Sequence, residues 1–567
     1  ACQRAHRRRA DREGADVPSL AKARLYLDTA RHLKPSQVLY RVWRKAGGAT
    51  PLKAGHAPRA TAGDADVSRI ALLPELDFDP AFLARFDCEA ILRDELTLLH
   101  HTERVDWETC WNAGLSTPLW QFNLHYCEYL LPLAKRYLDG SDERCLAKAK
   151  SIVRSWIRSN GGVGSGAGWD PYTISMRLVN WLAFYGELED ALEGDRPFVD
   201  DLNGSLASQY AHLARHLEKD LLANHYFENL KALVLGALYF GDDGTLDVAL
   251  PLLEGQAREQ ILPDGMHFEL SPMYHKVILE DVLRVAASLD KNGRGSEELR
   301  GCVRRMCDCL YSLERNASRT PLFNDSGDNV AKHKDALLAC AKMRFGVEPR
   351  YREDFPDAGY YLMERECSGH VLKLIFDAGG PGPEYAMGHA HCDALSFEAF
   401  VDGEPWIVNC GTYAYQDPRR LDFKRTSFHS TVMIEGCEQS ECWAPFRVGR
   451  RATSRLEARG LDSLCAVMTD ARGRGLRRTV SFSDGCLNVA DEAADEAGFA
   501  CFWHLAFGEP PSTGDGRRAF EETRSALYSP GFGLSSEIAS YAYKGAGAMT
   551  FAWRVPVPSN VSQGGIS

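Results

Sequence analysis

The run Leu395-Ser396-Phe397-Glu398-Ala399-Phe400-Val401-Asp402-Gly403-Glu404-Pro405-Trp406-Ile407-Val408 decides the architecture of the second half of this chain. Two short apolar arms flank Asp402-Gly403, a dipeptide that accepts the positive φ angles of a two-residue turn, so the run predicts an antiparallel hairpin. Ser430-Thr431-Val432-Met433-Ile434 before Glu435-Gly436, and Ser481-Phe482-Ser483 before Asp484-Gly485, repeat the pattern. The texture begins near Phe355-Pro356-Asp357-Ala358-Gly359. Many short strands without intervening helices predict a sandwich of antiparallel sheets.

Upstream the period changes. Leu133–Arg158, Ile174–Leu192, Phe198–Leu222, Phe227–Phe240, Leu246–Ile261, Tyr274–Leu289 and Glu298–Leu313 carry apolar residues at three-to-four spacing, which predicts helices from about Leu20 to Phe345. No repeat period of a helical array is present. Successive antiparallel helices must still bury their apolar faces, by closing into a toroid or stacking into a solenoid. The basic segment Leu20–Gly47 reads as amphipathic helix that packs or supports a domain.

Composition narrows the function classes. The 567 residues hold 66 Lys and Arg against 78 Asp and Glu, a net charge of −12. Nucleic-acid binding rests on neutralising phosphates, so this balance argues against it. A polyanion bound in a cleft answers to the local field and is not excluded. No apolar run reaches the length of a membrane span. The 17 cysteines include no Cys-x-x-Cys pair and read as free thiols of a protein that does not depend on disulfides. Residues 1–20, ACQRAHRRRADREGADVPSL, carry positive charge with no apolar stretch behind it, so no secretory signal is read there.

Three segments concentrate chemistry. Asn224 and His225 precede the apolar helix from Phe227; Asn is also a good helix cap. In Asp264-Gly265-Met266-His267-Phe268-Glu269-Leu270-Ser271-Pro272-Met273-Tyr274-His275, Ser271 and Pro272 predict a helix start. Tyr274 and His275 then occupy a first turn that favours anions. In Gly388-His389-Ala390-His391-Cys392-Asp393, an extended backbone would put His389, His391 and Asp393 on one face, with His429 opening another strand nearby. Trp120 and His125 lie in an aromatic-rich stretch that suits either core or sugar stacking.

Together these segments resemble the heparinase II/III-like polysaccharide lyases and their alginate and glycosaminoglycan lyase relatives. The resemblance runs from about residue 100 to residue 440. It rests on Asn224-His225-x-x-x-Asn229, the Asp264–His275 motif, Phe323-Asn324-Asp325-Ser326-Gly327-Asp328, the Gly388–Phe397 motif, and Gly411-Thr412-Tyr413 followed by Phe428-His429-Ser430-Thr431-Val432. It implies a multi-domain α + β fold, with an N-terminal (α/α) toroid (an incomplete helical barrel) before a C-terminal antiparallel β-sandwich. The expected division is a basic helical extension over 1–60, a catalytic toroid over 61–354 and an antiparallel β-sheet unit over 355–567. A periplasmic or secreted location is also implied.

The family chemistry is β-elimination at a 4-linked uronic acid within an acidic polysaccharide. The C5 proton is poorly acidic while the neighbouring carboxylate is charged, so a donor must neutralise it, a base must reach C5 and an acid must protonate O4. By resemblance Asn224, with His225 beside it, neutralises the carboxylate. Tyr274 is the acid, and the base is either Tyr274 itself (syn elimination) or His389 (anti elimination). Arg177, Lys231, His275, Trp120 and Arg425 are candidates to line the cleft. No cofactor is required by this chemistry, but some relatives hold a structural zinc through residues matching His391 and His429 and an intervening Asp. Here Asn409 stands at the carboxylate position, a poorer zinc ligand, with Cys410 or Asp393 as substitutes. Three rivals remain open: a uronyl C5-epimerase on the same fold, a glycoside hydrolase drawing two carboxylates from Glu228, Glu269, Asp325 and Asp328, and a non-catalytic carbohydrate-binding protein of exopolysaccharide assembly.

Overall fold

The computed structural model describes residues 19–556 apart from 163, 165, 368, 495–496 and 515–521; the basic stretch 1–18 lies outside them. Helices of nine residues or more are numbered in chain order. The first two are α1 (Ser19–Ala30) and α2 (Pro35–Lys45). Ten follow: α3 (Pro118–Tyr126), α4 (Leu130–Gly140), α5 (Glu143–Asn160), α6 (Pro171–Glu187), α7 (Arg196–Leu213), α8 (Ala223–Phe240), α9 (Asp243–Gln260), α10 (Pro272–Lys291), α11 (Glu297–Glu314) and α12 (Lys334–Phe345).

Local chemistry sets most of these starts. Asp142, Asp170, Asp195, Asp242, Ser271 and Ser296 each accept a first-turn backbone N–H with the side chain. The apolar stretch Leu133–Arg158, read as one helical segment, is two helices. Ser141 adopts φ 52° after α4, and Asp142 caps α5. Phe198–Leu222 likewise ends its helix at Leu213.

The helices pack in two rows. An inner row runs α3, α6, α8, α10, and an outer row pairs α5 with α7 and α9 with α11. The rows form an open arc, an (α/α) toroid that does not close into a barrel. Helix α8, at the middle of the inner row, is buried at every residue from Tyr226 to Phe240, with Glu228, Asn229 and Lys231 as its buried polar positions.

Beyond α12 the chain is antiparallel sheet. A nine-stranded sheet has the order 522–528, 536–546, 498–505, 404–407, 397–401, 370–377, 360–367, 354–355, with 432–434 also pairing 498–505. A six-stranded sheet runs 453–459, 463–469, 475–483, 486–493, 548–554, 512–513. The hairpin at Asp402-Gly403 forms as its sequence predicts, with φ 51° and 88° at the two turn residues.

The larger sheet is buried on both faces. Leu374, Phe376, Ala399, Val401 and Trp503 pack against Leu464, Ala466, Val480 and Val489 of the smaller sheet. On the opposite face Tyr360, Leu362, Ile375 and Phe400 pack against Met266, Leu270, Cys309 and Leu313 of the helical unit. That is why residues 360–363 and 372–377 are buried without a break, while the outer half of the first strand, 364–367, is polar and partly exposed. Polar anchors cross the same seam. Lys373 donates to the Ser312 carbonyl at 2.6 Å, at the C-terminal turn of α11. Arg319 makes a two-pronged pair with Glu398, at 3.0 Å on each arm.

Helices α1 and α2 support both units, in keeping with their expected packing role. Tyr26 and Thr29 contact Trp443 of the β-unit. Gln37 donates to the carbonyls of Leu221 and Tyr385. The described cysteines are thiols, none of them in a disulfide. No helix among the described residues is long and apolar enough to cross a membrane.

Candidate active site

Four segments meet where the helical arc faces the large sheet: the start of α10, the loop 323–328, the loop 388–396 and the segment 412–429. Ser271 caps α10 through the Tyr274 N–H (3.2 Å) and donates its own hydroxyl to the Asp325 carbonyl (2.6 Å). One serine therefore sets the helix start and ties it to the next loop.

Asp325 is the hub. It is fully buried, and His389 Nδ1 (2.8 Å), His391 Nε2 (2.8 Å) and the Arg420 guanidinium (Nη2, 2.6 Å) all converge on its carboxylate. Burial opposes its charge, but Arg420 and the two histidine hydrogen bonds outweigh burial and hold the carboxyl well below the usual carboxylate range. An ionised carboxylate only accepts, so His389 donates from Nδ1 and its Nε2 is turned away from Asp325.

The His389 ring lies 4.2 Å from the Tyr274 ring. The Tyr274 hydroxyl is 2.8 Å from that of Tyr415. Burial pushes the Tyr274 phenol well above its ordinary pKa, and the neighbouring Tyr415 and Arg420 only partly offset that. Tyr274 thus holds its proton at neutral pH.

Asn224 and His225 open α8. Leu222 (φ 61°) and Ala223 (φ 51°) precede them in the left-handed region, a sparsely populated conformation for two successive non-glycine residues. His225 Nδ1 sits 3.1 Å from Glu218, and its side chain is 38 % exposed. Burial opposes its charge, but the Glu218 carboxylate raises its pKa to about 9, so it is an imidazolium at neutral pH. The ring packs 4.7 Å from that of Tyr172. Glu269 links the two sides of the site: it lies within electrostatic reach of His225 and His389, and the Asn224 backbone N–H faces its carboxyl.

Several expected positions do other work. Arg177 is fully buried; it donates to Gln209 and to the carbonyls of His125 and Gly168, and stacks 3.9 Å from the Trp156 ring. It is a brace inside the helical unit and does not line a cleft. His275 is also fully buried, its Nε2 directed at the Met306 carbonyl (3.0 Å). Trp120 is core, with its indole N–H on the His101 carbonyl. Lys231 is buried between Glu228 and Asp281. Arg425 is 57 % exposed and pairs with Asp422.

The expected metal set is not assembled. His391 Nδ1 and His429 Nε2 face each other at 3.1 Å, but the Asn409 side-chain oxygen accepts the Ser430 N–H (3.1 Å) and its amide nitrogen contacts Ser396. Asp393 is taken up by the Asn324 N–H. Among the described residues no group of three or more His, Cys, Asp or Glu converges so as to hold a metal ion. Residues 388–396 also form a loop and not an extended strand. His389 and His391 share a direction because both bond Asp325, not because of strand alternation.

Asp325 as hub, Arg420, Tyr415 and Glu218 escape a reading of the sequence for these roles. The Phe323–Asp328 motif singles out Asp325 only as one carboxylate among several. Arg420 lies 95 residues further along the chain, and no local pattern marks it.

Comparison with known proteins places these features in context. The family model described as Heparinase II/III N-terminus matches residues 86–344, and the one described as Heparinase II/III-like, C-terminal matches residues 347–540. The chain is similar to a heparin-sulfate lyase of Pedobacter heparinus, 22% identical over 363 residues, covering 58% of this chain and 54% of that protein. A heparin-sulfate lyase of Bacteroides thetaiotaomicron is 20% identical over 409 residues, covering 62% and 57%. The chain therefore spans little more than half the length of these curated relatives. Among solved structures, a crystal structure of heparinase III superposes with a TM-score of 0.64 at 14% identity, covering 96% of this chain and 92% of that one. A mutant of the Pedobacter heparinus heparan sulfate lyase HepC superposes with a TM-score of 0.56 at 17% identity, covering 82% and 81%. At these identities the likeness shows the fold.

Proposed function

The chain belongs to the heparinase II/III-like family, and from that premise we propose that it is a polysaccharide lyase acting by β-elimination on a 4-linked uronate of a glycosaminoglycan-like polymer. The observation that carries the reading is the juxtaposition of a histidine whose Nδ1–H is committed to Asp325 with a tyrosine whose proton is retained. One supplies an imidazole nitrogen, the other a hydroxyl proton, 4.2 Å apart ring to ring.

In this mechanism the Asn224 amide and the His225 imidazolium bind the substrate carboxylate and draw charge from the developing enolate. His389 Nε2 takes the C5 proton. The C4–O4 bond breaks as a C4=C5 double bond forms, and Tyr274 delivers its proton to O4. Tyr415 then donates a hydrogen bond to the Tyr274 phenolate. Tyr274 as its own base is disfavoured, because burial moves its pKa away from neutrality. Hydrolysis by paired carboxylates is disfavoured too. Asp325 is committed to Arg420 and two histidines, Glu228 to Lys231, and Asp328 to Thr320, which leaves Glu269 without a second carboxylate.

The test uses heparan sulfate first, since the relatives bear its name, and then a panel of uronate polymers. The expected result is the ultraviolet absorbance of a 4,5-unsaturated uronate end. New reducing ends without that absorbance would replace the reading with hydrolysis. Deuterium uptake at C5 from heavy water without cleavage would replace it with epimerisation. Binding with neither outcome would leave a carbohydrate-binding protein.

A further inference from the structure

Glu269 takes no part in the mechanism above, yet it is placed between both halves of the site. Its side chain is almost wholly buried, and Oε2 has no hydrogen-bond partner. Leaving a buried polar atom unpaired destabilises a fold by about 1–3 kcal/mol, so such a group calls for an explanation. Packing does not supply one. His267 Nδ1 is 4.0 Å away, beyond hydrogen-bonding distance, and is itself unpaired.

Two neighbours do point to a role. The Asn224 backbone N–H faces the Glu269 carboxyl. That N–H follows the two left-handed residues Leu222 and Ala223, where α8 begins with no side-chain cap. A helix start leaves its first N–H groups unpaired and favours a negative group beside them. The residue after Glu269 is equally constrained. Leu270 has φ 56°, and its carbonyl accepts from Tyr360 (2.6 Å) and from the Asn324 amide (3.1 Å). Asn324 in turn accepts the His391 N–H (2.9 Å) beside the Asp325 hub.

We infer that Glu269 is a positioning residue: its carboxyl holds the strained turn that aims Asn224 and His225 at the substrate carboxylate, in register with the His389–Asp325 side. This inference rests on the lyase reading above. It acts chiefly on carboxylate neutralisation, and that makes it separable from a general structural role. A uronate methyl ester has no ground-state charge to neutralise, so elimination from it leans less on how Asn224 and His225 are aimed, although both still meet the developing enolate.

The experiment compares wild type, Glu269→Ala and Glu269→Gln on a uronate polymer and on its methyl ester, with thermal melting of each variant. Glu269→Ala is expected to lower kcat on the acid polymer about a hundredfold, the scale of a misplaced binding group, and to lower it clearly less on the ester. Glu269→Gln keeps an acceptor for the Asn224 N–H and should recover most of the loss. Equal losses on both substrates, an unaffected Ala variant, or a Gln variant as impaired as Ala on the acid polymer would each overturn the inference. If Glu269→Ala does not fold, the Gln variant alone decides: near-normal activity on both substrates supports the role, and a loss on both overturns it. A wild type that forms no unsaturated product overturns the lyase reading and this inference with it, whereas an active wild type with an indifferent Ala variant overturns this inference alone.

Discussion

Tyr274→Phe removes one oxygen from a ring whose packing against Met273 and Phe532 stays in place. It is expected to abolish the proton transfer to O4 and lower kcat by about 10²–10⁴, with a thermal midpoint close to wild type by differential scanning calorimetry. Near-normal turnover would remove Tyr274 from the acid role. His225 makes a pH prediction. Its folded pKa, about 9, lies above the ordinary histidine value of about 6.5. The stability from its pair with Glu218 is therefore fully present below about 6.5 and is lost as pH rises through about 9. Turnover should fall over the same alkaline range as the imidazolium loses its charge, and His225→Gln should remove that limb from the pH–rate profile. At this scale the sequence makes Tyr274, His389, Asn224 and His225 visible, because reactive side chains cluster in short motifs. It does not make Arg420 or Tyr415 visible. Their importance lies in what they touch, Asp325 and Tyr274, and neither lies near its partner in the chain.

At the scale of elements, Ser271 is the instructive case. The Ser-Pro pair predicts the start of α10, and the structure adds that the same hydroxyl holds the Asp325 carbonyl. Ser271→Ala should cost about 1 kcal/mol as a lost cap. Because the loop bearing Asp325 is released as well, kcat should drop by more than the loss of stability accounts for. Denaturant unfolding and turnover measured on the same variant check this. Periodicity locates the helices but misses the break between α4 and α5, because apolar spacing carries on in phase across Ser141 and Asp142. The loop 388–396 shows the opposite limit. Alternating residues there mimic a strand, and a shared hydrogen-bond partner, not pleating, turns His389 and His391 the same way.

Across the whole molecule, the site exists only because the open helical arc is docked on the nine-stranded sheet. Arg319 and Glu398 form a buried pair across that seam, and Glu398 also accepts the N–H groups of Leu322 and Asn409. Arg319→Leu leaves the carboxylate buried without its cation, and breaking such a pair costs about 3–5 kcal/mol. The expected outcome is a lowered thermal midpoint together with loss of turnover, since Tyr274 and His389 lie on opposite sides of the seam. A variant with wild-type melting would show that the apolar packing of Tyr360, Ile375 and Phe400 holds the seam unaided. The net charge of −12 is a property of the whole surface; the positive groups that matter here, His225 and Arg420, are local and partly or wholly buried.

The hairpin at Asp402-Gly403 and the helical periods upstream of Phe345 were set by the sequence alone. Turn dihedrals and apolar spacing are local properties, written in neighbouring residues. The placing of Arg177, Trp120 and His275 in the interior, the pairing of Asn409 with the Ser430 N–H, and the gathering of His389, His391 and Arg420 on Asp325 were decided only by tertiary structure. Each of these depends on which distant groups share a buried volume, and burial and hydrogen-bond partners arise only when the two units pack together.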